Sequence, residues 1–165
     1  MNDIILLDDL YPLQKELDEE IASLHQVSYE STHARRLLAL LVEFGEFANE
    51  TRCFKYWSLK GPGPKERILD EYADGLHFFL SLGIPLGVTS FRRELTKKDV
   101  DPTTAILEVY EKAARLLHHY DEITYRDAFA SYLDLLPIFG FTSVEAKTAY
   151  REKLSVNHKR QEEKY

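Results

Sequence analysis

Apolar residues recur at every third or fourth position along most of the chain, which is the spacing of helices that bury one face. The pattern predicts a first helix over residues 10–24 and a second over about 31–51, with Ser31 or Thr32 as the cap at its start. A third helix is predicted over about 65–82, after a Gly-Pro-Gly-Pro loop. The first half of the chain is therefore expected to be helical.

The second half of the chain shows the same periodicity, with two clear helix starts. Asp101 followed by Pro102 predicts a start with aspartate as the cap and proline at the first helical position. Thr142 and Glu145 have the spacing of a capping box. Helices are predicted over residues 103–119, 124–136 and 143–159, whereas residues 84–100 are expected to be irregular or partly helical, and no strand alternation is convincing.

Composition agrees with one all-α domain over residues 1–165, a helical bundle of about six helices. The net charge of −7, from 28 acidic and 21 basic residues, argues against a nucleic-acid partner. No apolar stretch has the length of a membrane-spanning helix. The single cysteine, Cys53, suits a reducing compartment. The sequence therefore predicts a cytoplasmic protein with no membrane partner.

Two pairs of acidic residues carry the candidate chemistry. Glu43 and Glu46 are three residues apart on the second predicted helix, and Glu71 and Asp74 have the same spacing on the third, so each pair shares a helix face. Both pairs lie among leucines and aromatic residues, where desolvation makes a compensating cation favourable. Mg²⁺ suits such oxygen ligands, and it can neutralise a triphosphate and lower the pKa of an attacking water. Alone, each pair is also typical of a solvated helix face.

The acidic segments resemble the signature of the dimeric dUTPases, which belong with the MazG-type enzymes to the all-α NTP pyrophosphatases. That pattern is Glu-x-x-Glu on one helix, an aromatic and lysine-rich stretch, and Glu-x-x-Asp-x-x-His-Phe on the next. Here the stretch is residues 54–57, and the last motif is residues 71–78. The resemblance covers roughly the first 85 residues well, and a Tyr, Lys, Asn and Arg series near the C-terminus is also similar.

The resemblance implies a MazG-like core, a homodimer, and Mg²⁺-dependent hydrolysis of dUTP to dUMP and pyrophosphate, which keeps uracil out of DNA. It implies that the four acidic residues hold the metal and that Glu43 or Glu46 supplies the general base. The residues that it implies for substrate binding are Gln14, Asp18, Phe54, Lys55, Trp57, His77, Tyr150, Lys153, Asn157 and Arg160.

Two departures from the family pattern leave the base specificity open. Asp18 stands where the family usually has asparagine, and Phe54 and Tyr56 stand where it usually has tryptophan. Another nucleotide, such as dCTP or a damaged nucleotide, is therefore an alternative substrate. Gln14 as an exposed polar residue and His77 as a hydrogen-bonded structural histidine are alternatives to their roles in binding.

Two other classes of protein are compatible with acidic helices. A carboxylate-bridged di-iron bundle would carry paired Glu-x-x-His motifs, whereas here the residue three positions after Glu71 is Asp74. Iron bound after purification without a chelator would favour that class. A non-catalytic helical interaction protein would release no pyrophosphate with Mg²⁺, and Glu46→Ala or Asp74→Ala would then leave no turnover to change.

Overall fold

The computed structural model describes residues 2–164. Within that range the chain folds into seven α-helices and two short strands, so the predicted all-α class is confirmed. Single turns of 3-10 helix follow α3 and α4. The strands are β1 (Asp3–Leu6) and β2 (Arg92–Leu95), and the helices are α1 (Leu10–His25), α2 (Tyr29–Thr51), α3 (Lys65–Gly83), α4 (Pro102–Ala114), α5 (Glu122–Leu133), α6 (Leu135–Ile138) and α7 (Ser143–Glu162).

Helix α3 is the centre of the bundle. It packs against α1, α2, α5 and α7, and from residue 72 to residue 83 every side chain is buried except those of Asp74 and Phe78. These two positions are four residues apart and therefore share one face of the helix. Asp74 is thus held on a rigid, well-packed element, beside the helix α2 that carries Glu43.

A pair of stacked tyrosines fixes α3 against α5. The rings of Tyr72 and Tyr132 lie 4.3 Å apart, and each hydroxyl donates to the backbone carbonyl of the other residue, at 2.9 and 2.7 Å. Gly75 makes this approach possible, because a Cβ at that position would overlap the Tyr132 hydroxyl. Both hydroxyls are buried, so the reciprocal bonds remove a desolvation cost while they fix the two helices in register.

The two clear helix starts in the second half of the chain are confirmed. Asp101 caps α4 by accepting from the Thr104 amide, with Pro102 at the first position, and Thr142 forms the expected capping box with Glu145. The cap of α2 was predicted wrongly. Its N-cap is Ser28, which has extended backbone geometry and forms a capping box with the residue three positions later.

The structure also corrects the prediction that the chain has no strand. β1 pairs antiparallel with β2, with Asp3 opposite Leu95 and Leu6 opposite Arg92. Ile5 and Leu95 point into the core while Ile4 and Leu6 remain exposed. The segment 84–100 therefore contains a 3-10 turn and a strand, and the strand closes over the base of the bundle through α5.

Helix ends in the second half differ from the predicted ones. α4 stops at Ala114 and continues only as a 3-10 turn, which is earlier than predicted. α5 begins two residues early because Asp121 caps it, and it breaks at Asp134 before the four-residue α6. Among the described residues, none of the helices combines the length and apolar character that a membrane crossing requires.

Candidate functional site

Three carboxylates from α2 and α3 converge at one place. An oxygen from each of Glu43, Glu71 and Asp74 lies within 4.8 Å of the others, and all three side chains are half-buried. Glu46 lies one turn after Glu43 on α2, is exposed, and is not part of this triad. Its charge is still close enough to act on Glu43 and Glu71. Three of the four predicted metal ligands are therefore brought together, with the fourth at the edge of the cluster.

The electrostatics of the triad show the cost of gathering these acids. Burial, together with the charges of Asp74 and the neighbouring glutamates, raises the pKa of Glu43 to about 7. The same causes raise the pKa of Glu71 to about 7. Burial also raises the pKa of Asp74, although the Lys153 ammonium opposes that shift. A cluster that disfavours its own ionisation in this way is a site at which a divalent cation is strongly favoured.

Lys153 supplies positive charge to the triad in this structure. Its side chain comes from α7 and is buried, and its ammonium lies 2.9 Å from an Asp70 oxygen and 3.2 Å from an Asp74 oxygen. The sequence analysis expected Lys153 at the substrate and did not foresee this ion pair. Because α7 and α3 are packed together, the lysine is already positioned where a bound polyphosphate would approach the acids.

A cavity of about 590 Å³ opens beside the triad, between α1, α2, α3 and α7. Glu43 and Asp74 form part of its wall, so the acidic cluster and the cavity are continuous. The volume is typical of a site for a nucleotide-sized ligand. Of the residues predicted to bind substrate, the wall contains Gln14, Asp18, His77, Asn157 and Arg160.

Gln14 is the centre of a buried hydrogen-bond network at the inner end of the cavity. Its Oε1 accepts from His77 Nδ1 at 2.6 Å and from the Tyr150 hydroxyl at 3.0 Å. Its Nε2 donates to Asp18 Oδ1 at 2.9 Å. Gln14 is only 3% exposed, so the alternative of an exposed polar residue is wrong. Its amide orientation is fixed from both sides.

His77 is a buried, neutral group of this network. Burial lowers the pKa of His77 to about 3, and its ring stacks on that of Tyr150 at 4.2 Å. Since it also lies in the cavity wall, its structural role and its proposed role at the nucleoside are compatible. Tyr150 is fully buried and is outside the wall, so in this structure it supports Gln14 and His77 and does not face the cavity.

The sequence analysis missed two residues on the opposite wall, Tyr29 and Arg36. The Tyr29 hydroxyl donates to Asp18 Oδ2 at 3.0 Å. The Arg36 guanidinium donates to the Tyr29 carbonyl at 2.8 Å and lies 4.9 Å from the centre of its ring. Both residues line the cavity. Only the i, i+7 spacing on α2 relates them in the sequence, and that spacing by itself does not indicate a site.

The aromatic stretch lies apart from this cavity in the described part of the chain. Phe54, Lys55 and Trp57 follow the end of α2 and are not among the wall residues. Phe54 and Trp57 contact each other edge to face at 6.0 Å, and Tyr56 next to them is 93% exposed. The expected contacts of this stretch with substrate therefore remain predictions.

An acidic, metal-compatible cluster joined to a nucleotide-sized cavity, on an all-α bundle, defines the class as a helical carboxylate protein that handles charged ligands. Comparison with protein-family models matches residues 6–165 to the dUTPase family, and the chain belongs to that family. Its activity is the hydrolysis of dUTP, and the family implies a divalent metal, which the triad of carboxylates fits. The comparison with curated proteins found no match.

Proposed function

We propose that the chain hydrolyses dUTP to dUMP and pyrophosphate with Mg²⁺ as the metal. The observation that supports this most directly is the continuity of the triad with the cavity, through Glu43 and Asp74. A ligand with its nucleoside in the cavity would carry its phosphates toward the acids. The charge of the triphosphate is then compensated by a cation, because carboxylates alone would repel it.

Glu43, Glu71 and Asp74 are the residues proposed to hold Mg²⁺, with Glu46 as the fourth ligand or the neighbouring base. The donor set consists of carboxylate oxygens only, as Mg²⁺ prefers. When bound, Mg²⁺ neutralises the phosphates and lowers the pKa of the attacking water. A di-iron centre is disfavoured, because within the described residues no histidine belongs to the triad.

The proposed base is a carboxylate of the Glu43 and Glu46 pair. The pKa of Glu43, near 7 without metal, allows it to accept a proton from water around neutral pH. Glu46 is more exposed and lies outside the triad, so it is available to take the proton when Glu43 is committed to metal. In both cases the proton leaves the attacking water as its oxygen bonds to phosphorus.

The walls of the cavity suggest how the rest of the nucleotide is held. Gln14, Asp18 and His77 are at the inner end and are proposed to contact the base. Asn157 and Arg160 come from α7 on the side of the triad, and with Lys153 they are proposed to contact sugar and phosphates. Phe54, Lys55 and Trp57 are proposed to reach the substrate only after movement of their segment.

A homodimer is proposed on the exposed outer face of α2. Leu38 and Val42 are one turn apart there and are more than half exposed, and Leu107 on the adjacent α4 is equally exposed. Apolar side chains grouped on packed helices are typical of an interface. Sedimentation velocity should give a dimer, and Leu38→Glu should shift it toward monomer without loss of helix content.

The test of the proposed function is pyrophosphate release from dUTP, measured by ion chromatography with and without Mg²⁺. We expect release only with metal, and a loss of at least about a hundredfold in Glu46→Gln. Glu108→Gln, a glutamate on the exposed side of α4, is the matched control and should keep wild-type turnover. Equal release without divalent metal, or full activity in Glu46→Gln, would contradict the proposal.

A further inference from the structure

A chain of hydrogen bonds on one wall of the cavity runs from α2 to Asp18. Arg36 donates to the Tyr29 carbonyl and also to the carbonyl and hydroxyl of Ser81, at 3.1 and 3.3 Å. The Tyr29 hydroxyl in turn donates to Asp18 Oδ2 at 3.0 Å. Asp18 is therefore held on two sides, by Tyr29 and by the Gln14 amide.

The polarity of the Gln14 and Asp18 pair is fixed by this network. Gln14 cannot exchange its oxygen and nitrogen, because His77 and Tyr150 both donate to Oε1. Its Nε2 therefore faces Asp18 as a donor, with a second N–H for a ligand. Asp18 receives hydrogen bonds from both neighbours and lies beside the cationic Arg36, which favours its carboxylate form, and a carboxylate only accepts.

A neighbouring donor and acceptor require a base edge with the opposite order. Uracil offers the N3–H as a donor, flanked by two carbonyl oxygens that accept. Cytosine offers a lone pair at N3, which would face the Asp18 carboxylate as a repulsive contact. An asparagine at the position of Asp18 could turn its amide to suit either group, whereas an aspartate cannot.

Resting on the proposed function, we propose that Asp18 is a specificity-determining residue that accepts a hydrogen bond from N3–H of the base. Tyr29 is the positioning residue that directs this carboxylate into the cavity, and Arg36 holds Tyr29. A site built to bond an N–H group discriminates strongly against a base without one, because its own polar groups are then left unpaired.

The experiment measures kcat/KM for dUTP, dCTP and dUTP methylated at N3, in wild type, Asp18→Ala and Tyr29→Phe. Wild type should prefer dUTP over both analogues by at least about a thousandfold. Asp18→Ala should reduce both preferences by about a hundredfold, since it removes the acceptor and makes room for the methyl group. Tyr29→Phe should reduce them by about tenfold, since it removes only the hydroxyl that orients Asp18.

The control is Tyr11→Phe, which removes a buried tyrosine hydroxyl bonded to Tyr125 outside the cavity and should keep the wild-type preferences. Circular dichroism establishes that each variant is folded, and the wild-type preference for dUTP over its N3-methyl form tests the inference without any variant. Unchanged preferences in Asp18→Ala, or no wild-type preference, would overturn the inference while dUTP hydrolysis stands. No hydrolysis of dUTP by wild type with Mg²⁺ would instead overturn the proposed function.

Discussion

Replacement of Lys153 by methionine tests whether its ammonium stabilises the metal-free acidic cluster. Methionine keeps the length and much of the shape of the side chain but removes the charge that lies against Asp70 and Asp74. The Asp70 partner is more than half exposed and contributes little, whereas Asp74 and Lys153 are largely buried. Loss of charge-assisted bonds of this kind costs about 2 kcal/mol, which for a chain of this size lowers Tm by about 4–8 °C.

The assay is thermal unfolding of Lys153→Met and wild type, first with a chelator and then with saturating Mg²⁺. With metal the deficit should shrink to less than half, because the cation then supplies the missing positive charge. Lys147→Met on the same helix is the matched control, since its Asp9 partner is exposed, and it should lower Tm by no more than about 3 °C. A deficit that is equal with and without metal, or no deficit, would refute this reasoning.

The remaining predictions concern pH and packing. Because the folded pKa of Glu43 and Glu71 is raised to about 7, their contribution to stability is full below their ordinary pKa and is lost as the pH rises through 7. The Tm of the metal-free protein should therefore fall between pH 5 and 8, and Mg²⁺ binding at pH 6.5 should release protons, seen as a buffer-dependent calorimetric enthalpy. A flat Tm and a buffer-independent enthalpy would contradict this. Gly75→Ala should destabilise the fold by about 2 kcal/mol in urea titration, because its Cβ would displace Tyr132, whereas Gly61→Ala in open space should not. Equal midpoints for the two variants would argue against the tyrosine packing.

Local signals made much of the helical fold predictable. The Asp101 and Pro102 start and the capping box at Thr142 are complete within four residues, so the sequence contains everything that determines them. The Ser28 cap was missed because its partner at the third position is serine and not the usual glutamate. The β1 and β2 pair was missed because its contacts join residues about 90 positions apart, and a four-residue strand has too little alternation to recognise.

The site divides in the same way. The i, i+3 spacing predicted that Glu43 shares a face with Glu46, and that Glu71 shares one with Asp74, because helix geometry alone decides this. The network around Gln14 could not be predicted, since it joins residues from α1, α3 and α7 that only tertiary packing brings together.

The partners of Lys153 were missed for a related reason. A lysine on a polar C-terminal helix gives no sign in the sequence that it will be buried, or that acids from another helix will surround it. Tyr29 and Arg36 likewise became candidates only once the cavity between α1 and α2 was visible.

The central claim is that carboxylates of α2 and α3 together bind a divalent cation. Isothermal titration of the metal-free protein with Mn²⁺, in wild type and in Asp74→Asn, tests it without reference to turnover. We expect saturable binding that weakens by at least about tenfold in Asp74→Asn. Asp127→Asn, an exposed aspartate paired with Lys112, should bind like wild type. Identical binding by wild type and Asp74→Asn would contradict the account.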